Sequence, residues 1–241
     1  MPAQTINFAG QSRSFVMSVP TGYSPESQSY PLVVALHGDG GDGQAARSLP
    51  FEAAAQGGAL FAYPDGKGRT WDLNTAPDSN ADFAFFDALV AAITDRYCVS
   101  KVIVAGYSRG GYMANQLACF RAGIVRGVIS MASGGPYDAQ GKAYNAQGNL
   151  ICGNGAPVAS MVVHGQADGE VSMSEGDKSL SHWRTRGGCR GTSPKMLFDT
   201  CVEYTNCTAG NAVWHCAVPG LGHGVWPRAG EAGWAFIRSL P

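Results

Sequence analysis

Residues 102–111 read Val102-Ile103-Val104-Ala105-Gly106-Tyr107-Ser108-Arg109-Gly110-Gly111, and Tyr112 to Phe120 continues as a helix-forming stretch. The apolar run predicts a strand that enters a tight turn with Ser108 at its tip. A serine held there projects its hydroxyl out of a sheet. The positions on either side must be small so that the following helix packs close, and Gly106 and Gly110 fill them. This is a G-x-S-x-G nucleophile elbow. In a chain with 33 glycines the bare pattern carries little weight. The strand–turn–helix context is what makes it informative.

Working outward, strands and helices alternate along most of the chain, which predicts a mainly parallel sheet with helices on both faces. Strands are expected at residues 14–19, 32–36, 60–63, 101–105, 128–132, 159–163 and 212–218. The clearest helix spans 81–97, where Phe86, Leu89, Val90, Ile93 and Tyr97 recur on one face of a 3.6-residue period. Ser79 is the expected N-cap, with Asp82 three residues on. Residues 134–157 and 187–211 are rich in Gly, Asn and Cys and read as long loops. No repeat or linker divides the 241 residues, so 1–241 is read as a single catalytic domain.

The formal net charge of −1 gives no basis for binding nucleic acid or an anionic membrane. No run approaches about 18 consecutive apolar residues, so no membrane span is expected. Seven cysteines are present, four of them within the last 53 residues and without a C-x-x-C pair. That spacing favours disulfides in an oxidising compartment over a metal site. Met1-Pro2-Ala3-Gln4 has neither a basic n-region nor an apolar h-region. The expectation is a secreted protein whose signal peptide is absent from this sequence. Cys98 precedes the strand leading to Ser108, and Cys119 lies 11 residues into the helix that runs back, about 16 Å at 1.5 Å per residue. Both finish at the same end, which predicts a Cys98–Cys119 disulfide. The last four cysteines allow three connectivities, among them Cys201–Cys207 with Cys189–Cys216. Cys152 would then be free. Asn206-Cys207-Thr208 fits a glycosylation sequon.

A serine hydroxyl needs a base to remove its proton. Of His37, His164, His182, His215 and His223, the last sits in Gly220-Leu221-Gly222-His223-Gly224, just after the final strand, where small neighbours let its ring reach the serine. His182 is expected on a surface helix. Asp168 follows the strand before that, five residues beyond Val163, and would orient the imidazole. Glu170, Glu175 and Asp177 are its competitors. The order Ser108, Asp168, His223 follows. His37-Gly38-Asp39-Gly40-Gly41 supplies a flexible turn after residues 32–36. The amides of Asp39 and Arg109 are the expected oxyanion-hole donors, with His37 bracing the loop. A phosphate loop would need G-x-x-x-x-G-K, which is absent.

These pieces resemble the feruloyl esterase and polyhydroxybutyrate depolymerase group of α/β hydrolases, carbohydrate esterase family one. The matching stretches are Leu36-His37-Gly38-Asp39-Gly40-Gly41, Tyr63-Pro64-Asp65-Gly66, Tyr97-Cys98-Val99, Gly106-Tyr107-Ser108-Arg109-Gly110-Gly111, Leu117-Ala118-Cys119, His164-Gly165-Gln166-Ala167-Asp168 and Gly222-His223. The cysteine pattern after Gly188 resembles the secreted feruloyl esterases more closely than the intracellular depolymerases. Asp39 departs from the pattern, since many members carry a cysteine or a small residue there. The resemblance implies an α/β-hydrolase fold and ester hydrolysis without metal or organic cofactor. The substrate would be a feruloylated or acylated polysaccharide, or a polyester, and the protein a monomer. A feruloyl esterase leads. An acetylxylan esterase or polyester depolymerase is the enzymatic alternative, and an inactive polysaccharide-binding scaffold the non-enzymatic one. Trp71, Tyr107 and Trp226 are the expected aromatic wall for a cinnamoyl ring.

Overall fold

The computed structural model describes residues 2–26, 28–138, 143–146, 148, 150–153, 155–191, 195–208 and 211–241, with 195–197 described through their backbone. Its elements run β1 (Gln4–Phe8), β2 (Gln11–Ser18), β3 (Tyr30–Leu36), α1 (Gly43–Arg47), α2 (Phe51–Ala55), β4 (Leu60–Pro64), α3 (Ala81–Thr94), β5 (Val99–Tyr107), α4 (Arg109–Phe120) and β6 (Val125–Met131). There follow β7 (Ala159–Gly165), α5 (Met173–Gly187), β8 (Lys195–Leu197), β9 (Cys201–Tyr204), β10 (Val213–Val218) and α6 (Ala229–Ser239). One sheet runs through the molecule in the order β1-β2-β4-β3-β5-β6-β7-β10-β9-β8. From β4 to β10 neighbouring strands pair parallel. Antiparallel pairs close both ends.

Alternation along the central strands builds the two faces. Leu32, Val34, Leu36, Val102 and Val104 pack with Phe83, Leu89, Leu117 and Trp183, from α3, α4 and α5. Val33, Ala35, Ile103 and Ala105 pack on the opposite side with Phe51 of α2 and Phe236 of α6. The sheet is thus covered on both faces, as the near-continuous apolar runs of β3 and β5 require. All seven strands read from the sequence are present. The segment 187–211 is not a plain loop, because β9 extends the sheet antiparallel to β10 and β8 pairs antiparallel to β9 at its edge. Helix α3 begins one residue later than Ser79 predicts. Asn80 is the cap, its side-chain oxygen accepting the amides of Asp82 at 2.8 Å and Phe83 at 3.4 Å.

The cysteine pairing differs from the expectation throughout. Cys119 pairs with Cys152, Cys189 with Cys207 and Cys201 with Cys216, and Cys98 is free and exposed. The helix-length argument gives the height of Cys119 but not its facing. Its side chain is buried, on the face where the excursion after β6 returns, whereas Cys98 lies outside the core just before β5. In the C-terminal set, Cys201 of β9 stands opposite Cys216 of β10 in register. That register is invisible while β9 is read as loop.

Candidate active site

Ser108 occupies the turn between β5 and α4 with φ 52° and ψ −123°, a left-handed conformation costly for a residue with a side chain. Its amide donates to the Met131 carbonyl at 2.9 Å, which ties the turn to β6. The flanking glycines are sterically required. A Cβ on Gly106 would lie 2.1 Å from the Gly110 carbonyl oxygen, and one on Gly110 would lie 2.4 Å from that of His37.

The loops after β7 and β10 meet above this turn. The amide of Gln166 donates to Val218 O at 2.9 Å, and that of Ala167 to Leu221 O at 3.0 Å. Gly165 allows the approach, since a Cβ there would sit 2.2 Å from the Leu221 oxygen. The structure brings Ser108, His223 and Asp168 into one hydrogen-bonded chain. His223 Nε2 lies 3.0 Å from Ser108 Oγ, and its Nδ1 lies 2.9 Å from Asp168 Oδ2. Asp168 is buried, and its other oxygen accepts the amides of Glu170 at 3.0 Å and Val171 at 2.9 Å. Burial pushes this carboxyl up, but the bonds from His223 and from those two amides outweigh it and hold it below its ordinary value. Aspartate is therefore ionised and accepts from Nδ1–H, which leaves Nε2 free to accept the serine proton. Of the competitors, Glu170 comes within 4.0 Å of His223 Nε2 but is 77% exposed at its side chain. Asp177 is exposed. Glu175 points elsewhere, toward Tyr112, Tyr137 and Lys178.

Among the described residues the amides of Asp39 and Arg109 have no protein acceptor, which leaves both available to an oxyanion. The loop that carries Asp39 is braced from several sides. Gly66 N–H donates to His37 Nε2 at 2.9 Å, so the ring is neutral with its proton on Nδ1, donated to Gly38 O at 2.7 Å. Burial agrees, lowering the His37 pKa against that bond and the charges of Asp65 and Asp42. Gly40 N–H donates to Arg69 O at 2.8 Å. The Asp39 carboxylate, awkward on paper beside an oxyanion site, accepts from Thr70 Oγ1 at 2.5 Å and lies 3.8 Å from Arg109 Nε.

The sequence places Trp71 and Trp226 on the cleft wall, and the structure buries both. Trp71 donates its indole N–H to His37 O at 2.8 Å, and its own carbonyl accepts from Arg109 Nε at 2.8 Å. It braces the loop. Trp226 belongs to the core beside α2 and α6. Tyr107 is half-buried and props the histidine loop, its hydroxyl donating to His223 O at 3.1 Å. A cavity of about 440 Å³ opens beside Ser108 instead, lined by Leu73, Asn74, Tyr112, Gln116 and Tyr137 along with Asp39 and Arg109. Sequence reasoning misses the first five of these. Tyr112 and Gln116 had a signal, since they stand four and eight residues after Ser108 on one face of α4. Tyr137 has none, because it enters from the excursion after β6. A second cavity of about 320 Å³ lies across Asp39, lined in part by Gly38, Leu49, Tyr107 and Val225.

Among the described residues, Cys119, Cys152 and His182 lie close enough to share a metal ion, but the two cysteines are joined in a disulfide. His182 is also not on the surface as expected. It is 4% exposed, with Nε2 3.4 Å from Cys152 Sγ.

No protein-family model matches the chain. It is 31% identical to feruloyl esterase C of Emericella nidulans over 250 residues, which covers 94% of this chain and 84% of the relative. It is 27% identical to feruloyl esterase D of Neurospora crassa, covering 87% and 74%. The structure of an acetyl xylan esterase from Aspergillus awamori superposes with a TM-score of 0.73 over 99% of both chains, at 16% identity. That last likeness concerns the fold. Fold and relatives together define a carboxylic ester hydrolase of the α/β-hydrolase fold. Within that class the chain belongs to the feruloyl esterase family.

Proposed function

We propose that the chain hydrolyses feruloyl esters of plant cell-wall polysaccharide through an acyl-enzyme on Ser108. The observation that carries this reading is the Ser108–His223–Asp168 chain set beside a cavity with an aromatic wall. Ser108 Oγ attacks the ester carbonyl as its proton passes to His223 Nε2. The amides of Asp39 and Arg109 hold the tetrahedral oxyanion, each worth on the order of 10²–10³ in rate. His223 then returns the proton to the leaving alkoxide, and it activates water for the second half-reaction.

The same chemistry sorts the two cavities. The leaving oxygen must lie beside His223 Nε2, so the alcohol takes the side of Tyr107 and Val225. The acyl group takes the opposite side, the 440 Å³ cavity. An acetyl group would leave most of that space empty, which favours a hydroxycinnamoyl ester over the acetylxylan reading. Three disulfides support function in an oxidising, extracellular setting.

The test is turnover of methyl ferulate, acetylated xylan and short hydroxybutyrate oligomers side by side. The reading expects methyl ferulate to give the highest kcat/KM. A preference for either of the others would replace it with the acetylxylan esterase or the polyester depolymerase.

A further inference from the structure

We propose that Gln116 is a specificity residue that recognises the para-hydroxyl of the bound hydroxycinnamoyl group. This rests on the acyl-side reading just given. Gln116 stands eight residues after Ser108 on α4, a rise of about 12 Å, and helical side chains lean back toward the N-terminus. That places its amide at the inner end of the cavity, opposite the serine. It is 6% exposed and is the one buried residue among the described residues that line the cavity.

The orientation of this amide is fixed. Its nitrogen donates to Leu73 O at 3.1 Å and to Tyr137 O at 3.2 Å. The flipped amide would set its oxygen against two carbonyl oxygens, so the assignment is forced. Oε1 therefore turns away from both strands of main chain. It has no protein donor among the described residues, yet it is not sealed off as a buried orphan. An amide oxygen in such a place needs a donor, and one is lost if the incoming ligand cannot supply it.

The two tyrosine hydroxyls nearby are committed. The hydroxyls of Tyr137 and Tyr112 both donate to Glu175 Oε2, at 2.5 Å and 3.4 Å. Their rings lie 6.2 Å apart, tilted by 31°. Tyr137 is held in turn from below, where Ser179 Oγ donates to Gly135 O at 2.6 Å and Asn115 Nδ2 to Gly134 O at 2.9 Å. The cavity thus ends in an acceptor of fixed orientation, Gln116 Oε1. It selects a phenol, which donates. A para-methoxy group offers no hydrogen, and an unsubstituted ring leaves Oε1 unpaired.

The experiment compares kcat/KM for methyl 4-hydroxycinnamate, methyl 4-methoxycinnamate and methyl cinnamate, which share one alcohol. Wild type should favour the hydroxy ester over each of the others by about tenfold or more. Gln116→Met, similar in volume and without an acceptor, should bring both ratios to within about twofold of unity, mainly through the hydroxy ester. If that variant does not fold, Gln116→Asn withdraws the oxygen by one methylene and should have the same effect. A wild type without the preference, or variants that keep it, would overturn the proposal. Variants that lose all three esters in equal proportion would assign Gln116 a structural role and overturn it as well. A wild type that cleaves short-chain esters but none of these three would remove the feruloyl reading itself, a result distinct from the others.

Discussion

The indole N–H of Trp71 donates to the main-chain carbonyl of His37 at 2.8 Å, and the two rings lie 4.8 Å apart. This contact joins the segment after β4 to the loop that presents the Asp39 amide. Trp71→Phe keeps most of the packing but orphans a buried carbonyl, a cost of roughly 1–3 kcal/mol. The expected result is a kcat for methyl ferulate lowered about tenfold, with KM within twofold. A tryptophan that stacked on substrate would raise KM instead, and steady-state kinetics separate the two.

The acid is distinguished by a pair of substitutions. Asp168→Asn should lower kcat by about 10⁴, because the amide stabilises the wrong histidine tautomer and cannot balance imidazolium. Glu170→Gln should stay within a few-fold, since that carboxylate is exposed and faces the serine side of the ring. The reverse ranking of the two variants would move the acid to Glu170.

How far the sequence reaches is clear from these residues. Ser108, Asp168 and His223 each follow the end of a parallel strand, and strands of apolar residues are legible from composition alone. Their convergence needs only the chain order. Trp71 is different. Nothing local tells whether a tryptophan in a loop turns toward solvent or beneath its neighbours, and here its partner is 34 residues away. Tyr137 and the cysteine pairs fail for the same reason, as their contacts depend on where long excursions return to the sheet.

Buried His182 should shape the acid stability. Burial lowers its pKa to about 4, with Arg186 adding to the shift. The unfolded chain takes up a proton near pH 6.5 while the folded one resists until about pH 4, so stability falls as pH drops through that window. At 1.36 kcal/mol per pKa unit the loss is on the order of 3 kcal/mol. His37 and His215 shift in the same direction. Thermal melts of His182→Gln should show a flatter profile between pH 6.5 and 4 than wild type. An unchanged slope would contradict this.

The cysteines make a chemical prediction. Non-reducing peptide mapping should return Cys119–Cys152, Cys189–Cys207 and Cys201–Cys216, with Cys98 alone alkylated. Cys98→Ser should leave Tm unchanged. Cys119→Ala with Cys152→Ala opens a loop of 33 residues and should cost roughly 3–4 kcal/mol in the loop-entropy picture. A Cys98–Cys119 peptide would refute the pairing.

The proposed chemistry passes through the hydroxyl of Ser108, 3.0 Å from His223 Nε2. The most direct measurement is turnover of methyl ferulate by folded Ser108→Ala, its integrity established by an unchanged melting profile. The predicted result is a loss of about 10⁶ in kcat, the scale at which removing a triad serine acts. Activity within tenfold of wild type would contradict it and place the chemistry elsewhere.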